Sequence, residues 1–144
     1  MSPEAAIACL VVLGLVFVSG GKWLLWPSEE WRFHRDYEAR SPLSDERMIC
    51  EYFSDSNIDP QIPIAIRRIF GRQFQLDAQR LRPDDDFGAI YADLDFVEFF
   101  DEIEDAFGVE ISNDESSVTK GTIAALSALV HRKRSASNAS QSPA

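Results

Sequence analysis

The run from Asp93 to Gly108, DLDFVEFFDEIEDAFG, constrains this chain more than any other stretch. Phe99, Ile103 and Phe107 fall at i, i+4 and i+8, a single apolar stripe at helical spacing. Asp101, Glu102, Glu104 and Asp105 lie largely off that stripe. The spacing therefore predicts an amphipathic helix that buries one side and presents carboxylates on the other. Gly108 stands where a left-handed residue stops a helix. Asp93 and Asp95 stand at its start, where carboxylates cap free N–H groups and meet the positive end of the helix dipole.

This helix sits in an unusually acidic block. The 144-residue chain has a formal net charge of -10, which argues against binding nucleic acid through bulk charge. Between Pro83 and Glu115 there are 13 Asp or Glu and no Lys or Arg, so that block favours a basic protein partner. The competing reading is a solvated acidic face that keeps the domain soluble. The two cysteines, Cys9 and Cys50, lie far apart and suggest no disulfide framework.

The N-terminus has a different character. Residues 5–21 carry no charge, and the apolar run extends to Trp26 interrupted only by Lys22. As a helix, 5–26 would be roughly 33 Å long, enough to cross a bilayer. Trp23, Trp26 and Lys22 suit the interface, and Pro27 ends the segment. We therefore expect a tail at 1–4, one transmembrane helix at 5–26 and a juxtamembrane linker at 27–43. A cleaved signal peptide and a buried core helix are the alternatives. The signal peptide lacks its basic leading region, because Met1–Glu4 has no Lys or Arg. Lys22, Arg32, Arg35 and Arg40 all follow the segment, which orients the C-terminal side to the cytoplasm of a single-pass inner-membrane protein.

Beyond the anchor the pattern is helical. The stretch 27–42 alternates charges with Trp31, Phe33 and Tyr37 and reads equally as a short strand, a juxtamembrane helix or an interfacial collar. Ser44 looks like an N-cap for a helix to about Phe53. A second helix is expected from Pro63 to Phe74, with Ile62, Ile66, Ile69, Phe70 and Phe74 in period. Its Arg67, Arg68 and Arg72 either balance the acidic helix or bind acidic headgroups. A long connection, 76–92, would be pinned by Leu81, Phe87, Ile90 and Tyr91. After Gly108, Val109–Ile111 reads as extended, Ser112–Glu115 as the start of a short helical turn, and Ile123 to about Arg132 as a last helix. His131 to Arg134 would favour the C-terminal end of its dipole. Residues 133–144 contain no core residue and are expected to be a disordered tail.

The order helix, long loop, acidic helix, short turn and final helix resembles the acyl carrier protein fold. The likeness concentrates at Ala92-Asp93-Leu94-Asp95-Phe96-Val97-Glu98-Phe99 and continues through Phe107-Gly108-Val109-Glu110-Ile111. Carrier proteins show a pattern like Asp-Ser-Leu-Asp-x-Val-Glu-Leu followed by Phe-Gly-x-x-Ile. Leu94, Asp95, Val97, Glu98, Phe107 and Ile111 match it. The likeness covers roughly 62–132 and is greatest to uncharacterised bacterial carrier-like domains. It implies an all-α fold: an acyl carrier protein-like four-helix bundle over 44–132, preceded by one transmembrane helix and an extra N-terminal helix.

The departure from that pattern bears on function. A carrier's serine takes the phosphopantetheine arm on its hydroxyl, and this chain has Asp93 there. No Ser or Thr occurs from Asn57 through Ile111. The resemblance thus implies a carrier fold without phosphopantetheine and with no cofactor. In the family, partner enzymes grip the acidic helix with Arg and Lys. Carried over, the docking residues are Asp93, Asp95, Val97, Glu98, Asp101, Glu102 and Asp105, and the partner is a basic protein, such as a lipid- or acyl-processing enzyme. The alternative is a functional acyl or peptidyl carrier in lipid or secondary-metabolite biosynthesis. Nothing supports catalysis: the two histidines are isolated and no nucleophile has a triad context. No metal site is expected. Counted as a calcium loop from Asp84, Gly88 falls at position five and Asp95 at twelve, which fails the pattern, and no Cys/His set has zinc spacing.

Overall fold

The structure is a computed structural model and describes residues 28–91, 96–119 and 121–140. Those residues form seven α-helices and one 3-10 turn, with no strand among them. The fold is therefore all-α. The helices are α1 (Glu29–Ala39), α2 (Asp45–Tyr52), α3 (Gln61–Gln73), α4 (Phe87–Ile90), α5 (Val97–Phe107), α6 (Asn113–Val118) and α7 (Ile123–Ser140), and the 3-10 turn is Ala78–Arg80. The chain divides into two compact units, 1–35 and 36–144. No helix among the described residues is long and apolar enough to cross a membrane. The apolar segment 5–26 lies outside the described residues.

In the first unit the described residues are 28–35, the start of α1. Ser28 Oγ accepts the Trp31 N–H at 3.2 Å, and Arg35 lies 5.3 Å over the Trp31 ring. The helix, one of three readings of this stretch, is thus started by a side-chain oxygen on an orphan N–H.

The second unit is built on α3, which packs against α7 and α5. Ile62, Ile66 and Phe70 of α3 repeat every four residues and are fully buried. Phe70 is the aromatic centre: its ring lies 4.1 Å from that of Phe87 on α4 and 4.4 Å from that of Phe99 on α5. Ile103, Ile123, Leu126 and Val130 complete the core. Removing each such side chain from water contributes about 1.5–3 kcal/mol. Leu81 and Phe87 are buried and do pin the 76–91 connection, whereas Ile90 and Tyr91 are only half-buried.

Local chemistry explains most helix ends. Ser44 caps α2 by accepting the Arg47 N–H at 3.2 Å. At α3, Asp59 accepts the Gln61 N–H at 3.0 Å, so the helix starts two residues before Pro63. Pro63 still falls in the first turn, where a missing N–H costs nothing. At its other end Gln75 adopts a left-handed conformation (φ 54°), and the N–H groups of Leu76 and Gln75 bond the carbonyls of Gly71 and Arg72. That is a Schellman closure on a residue other than glycine. Gly108 ends α5 at φ 62°, as the sequence predicts.

A further boundary differs from expectation. Residues 133–140, expected to begin a disordered tail, continue α7 to Ser140. Nothing in RKRSASNAS breaks a helix, and loss of apolar residues ends the packing without ending the helix. His131 to Arg134 therefore lie more than one turn from the C-terminus and do not act on its dipole. Lys133 instead donates to the Glu110 carbonyl at 2.7 Å and to the Glu115 carboxylate at 2.5 Å, fixing α7 to α6.

The loop before α4 is sewn to the start of α7. The Phe87 N–H bonds Gly121 O at 2.9 Å and the Ala124 N–H bonds Pro83 O at 3.0 Å. A Cβ on Gly121 would sit 2.7 Å from the Gly88 nitrogen, so the two backbones approach too closely for any side chain.

Candidate functional site

Helix α5 begins at Val97 with Phe96 in the cap position and no side-chain cap. Asp93 and Asp95, expected as its capping carboxylates and as docking residues, lie outside the described residues. Phe99 and Ile103 are buried on one side, as the stripe requires, and Phe107 is half-buried.

The acidic residues of α5 divide into two sets. Glu102 turns toward α3, where the Arg72 guanidinium and, at 3.0 Å, the Gln73 amide donate to it. The Arg72 hydrogen bond, ahead of the Gln73 one, holds the Glu102 carboxyl below the usual carboxylate range. This contact realises the balance between basic α3 and acidic α5. Arg67 and Arg68, expected to balance the same helix, pair instead with Asp45 of α2, at 3.1 and 2.9 Å. Glu104 accepts the Ile111 N–H at 2.5 Å and so fastens the 109–111 segment along α5. Glu98, Asp101 and Asp105, by contrast, are exposed and enter no ion pair among the described residues. With Val97, which is 59% exposed, they fall at helical spacing on one face.

Of the predicted docking residues, the structure thus groups Val97, Glu98, Asp101 and Asp105 on an open face. It places Glu102 at an internal contact. Three carboxylates spaced three and four apart repel one another by about 0.2–0.5 kcal/mol per pair. Asp105 also sits in the last turn, where no basic residue offsets the negative end of the dipole.

Beside this face lies a groove of about 420 Å³ between α5, the 109–111 segment and α6. Phe96, Val97, Phe100 and Ile111 supply its apolar lining, and Asp101, Glu104 and Glu110 its carboxylates. Among the described residues no Lys or Arg lines it. A smaller cavity of about 90 Å³ shares Phe96 and Phe100 and reaches the core at Phe70, Phe99 and Leu126. The sequence reading did not single out Phe96, Phe100 or Glu110. The signal was the Phe99-Phe100 pair, in which Phe100 is apolar but lies outside the i, i+4, i+8 series of Phe99, Ile103 and Phe107.

Helix α6 frames the groove through a capping box. Ser112 Oγ accepts the Glu115 N–H at 3.3 Å and the Glu115 carboxylate accepts the Ser112 N–H at 3.0 Å. The Lys133 contact, with the Ser112 backbone bond next, lowers the Glu115 pKa to about 2. Comparison with protein-family models, curated proteins and solved structures gives no match for this chain.

Proposed function

We propose that this chain is a membrane-anchored, acyl-carrier-like interaction module that docks basic protein partners through α5. One observation carries the reading: Glu98, Asp101 and Asp105 share an exposed face with Val97 and enter no ion pair among the described residues. Like charges held together at a cost to helix stability are expected where a partner supplies the counter-charge. Such complementarity gives specificity and a fast encounter, and it weakens with salt.

In this proposal residues 5–26 form the anchor and the second unit faces the cytoplasm at the inner membrane. The carrier likeness extends to a four-helix bundle, but Asp93 offers no hydroxyl for a phosphodiester link, so the module carries no phosphopantetheine and acts by binding, not catalysis. Two measurements test it. The full chain, incubated with a phosphopantetheinyl transferase and coenzyme A, should gain no mass. Partners captured from a membrane extract at low salt should be lost when Asp101→Lys and Asp105→Lys are introduced together. A mass gain, or partners indifferent to charge reversal, refutes the reading.

A further inference from the structure

We infer that the groove beside α5 receives one side of an amphipathic basic helix from the partner. This deepens the proposed function and rests on it. The acidic face alone would hold any cationic surface. The groove adds a demand for apolar side chains at fixed spacing.

The groove's volume of about 420 Å³ lies within the range of pockets that enclose a small organic group. Phe96, Val97, Phe100 and Ile111 provide a surface for large aliphatic side chains. Asp101, Glu104 and Glu110 line it with no Lys or Arg among the described lining residues, so an apolar group entering here is best flanked by Lys or Arg. Glu98 and Asp105 extend the same negative field along α5. Anionic occupants, such as phosphates or acidic peptides, meet the like charge of Asp101, Glu104 and Glu110.

The helical form of the occupant follows from the fold. No strand occurs among the described residues, so they offer no sheet edge on which an extended peptide could add. A groove beside a helix instead accepts apolar anchors at i, i+3 or i+4, and i+7, with polar residues outside. Basic residues one turn from those anchors reach Asp101 and Asp105, which are themselves one turn apart.

The test uses the full chain in non-ionic detergent and two fluorescent peptides of about 18 residues, long enough to hold a helix. Both contain the same Leu and Lys residues. In one the leucines form a single face, and in the other they are scattered around the helix. Anisotropy titration should show the one-faced peptide binding about tenfold tighter. Val97→Gln, at a position whose residue is 59% exposed, should weaken the one-faced peptide about fivefold and leave the scattered one unchanged, with circular dichroism matching the parent chain. Equal binding of the two peptides, both weakened by Asp101→Lys with Asp105→Lys, overturns the groove inference and leaves the acidic docking face standing. Binding indifferent to that double charge reversal, or no binding at all, overturns both.

Discussion

The bare carboxylate of Asp105 leads to a prediction opposite to the usual effect of a surface substitution: Asp105→Lys should stabilise the protein. Asp105 lies in the last turn of α5, which has no basic residue, and it is exposed without an ion pair among the described residues. Moving from an anion to a cation at that end of the dipole is worth about 0.3–1 kcal/mol for each sign reversed. Repulsion from Asp101, one turn earlier, disappears and is worth about 0.2–0.5 kcal/mol. An Asp101–Lys pair replaces it in the favoured orientation, acid before base, for a similar gain. Together these give about 1–2 kcal/mol at low ionic strength. With a urea m-value of about 2 kcal/mol/M, the unfolding midpoint should rise by about 0.5–1 M.

Urea unfolding followed by circular dichroism at low and high salt measures this directly. Asp105→Asn should give about half the gain, because it removes repulsion without creating a pair. In about 1 M salt the Debye length falls to about 3 Å and most of the gain should vanish. A midpoint that stays put or falls at low salt, or a gain that ignores salt, would refute the picture of a bare like-charged face. Under the proposed docking role the same variant should bind a basic partner less well, so stability and docking would move in opposite directions.

Three further outcomes are expected. Gln75→Gly should stabilise by about 0.5–1 kcal/mol in urea unfolding, because Gln75 holds a left-handed conformation that glycine adopts freely, less the entropy glycine adds to the unfolded chain. The stability that Glu115 contributes is fully present above about pH 4.5 and is lost as pH falls through its folded value of about 2. Glu115→Gln should therefore flatten the acid limb of the stability profile in that window. Asp45→Ala should cost about 3 kcal/mol, because it strips the fully buried Arg67 of its carboxylate partner and leaves it the Leu43 carbonyl, and Arg67→Met in the same chain should restore most of the loss.

What was legible in the sequence was local. Ser44, Gly108 and the Ser112–Glu115 box act on backbone groups three or four residues away, so the local sequence places those helix ends. The apolar period of α3 was equally readable, because Ile62, Ile66 and Phe70 need only a neighbour to bury them. The form of 27–42 was not, since Trp31, Phe33 and Tyr37 fit a period of two as well as one of four. Gln75 was missed because its left-handed turn follows from how the chain leaves α3, not from residue type. Nor could the sequence say which carboxylates of α5 face inward. Glu102 and Asp101 are neighbours of equal charge, and only the position of Arg72 on another helix separates their roles.

That separation bears on how an external partner can bind. Arg40, Arg67, Arg68, Arg72, Lys133 and Arg134 each face a carboxylate of their own unit, and Arg82 is taken up by the carbonyls of Gln79 and Ser41. The acids they meet are Asp85, Asp45, Glu102, Glu115 and Asp59, none of them on the open face of α5. Internal pairing therefore uses most of the described cations of this unit and leaves Glu98, Asp101 and Asp105, like Glu46 and Asp55 elsewhere in the unit, outside any ion pair among the described residues. A partner's Lys or Arg has no intramolecular ion pair to displace at those three positions. At Glu102 the same cation would have to compete with Arg72 and Gln73, both already in place. Charge reversal at Asp101 should thus weaken docking without disturbing the fold, whereas Glu102→Lys should set a cation against Arg72 and loosen α3 from α5 before any partner is involved.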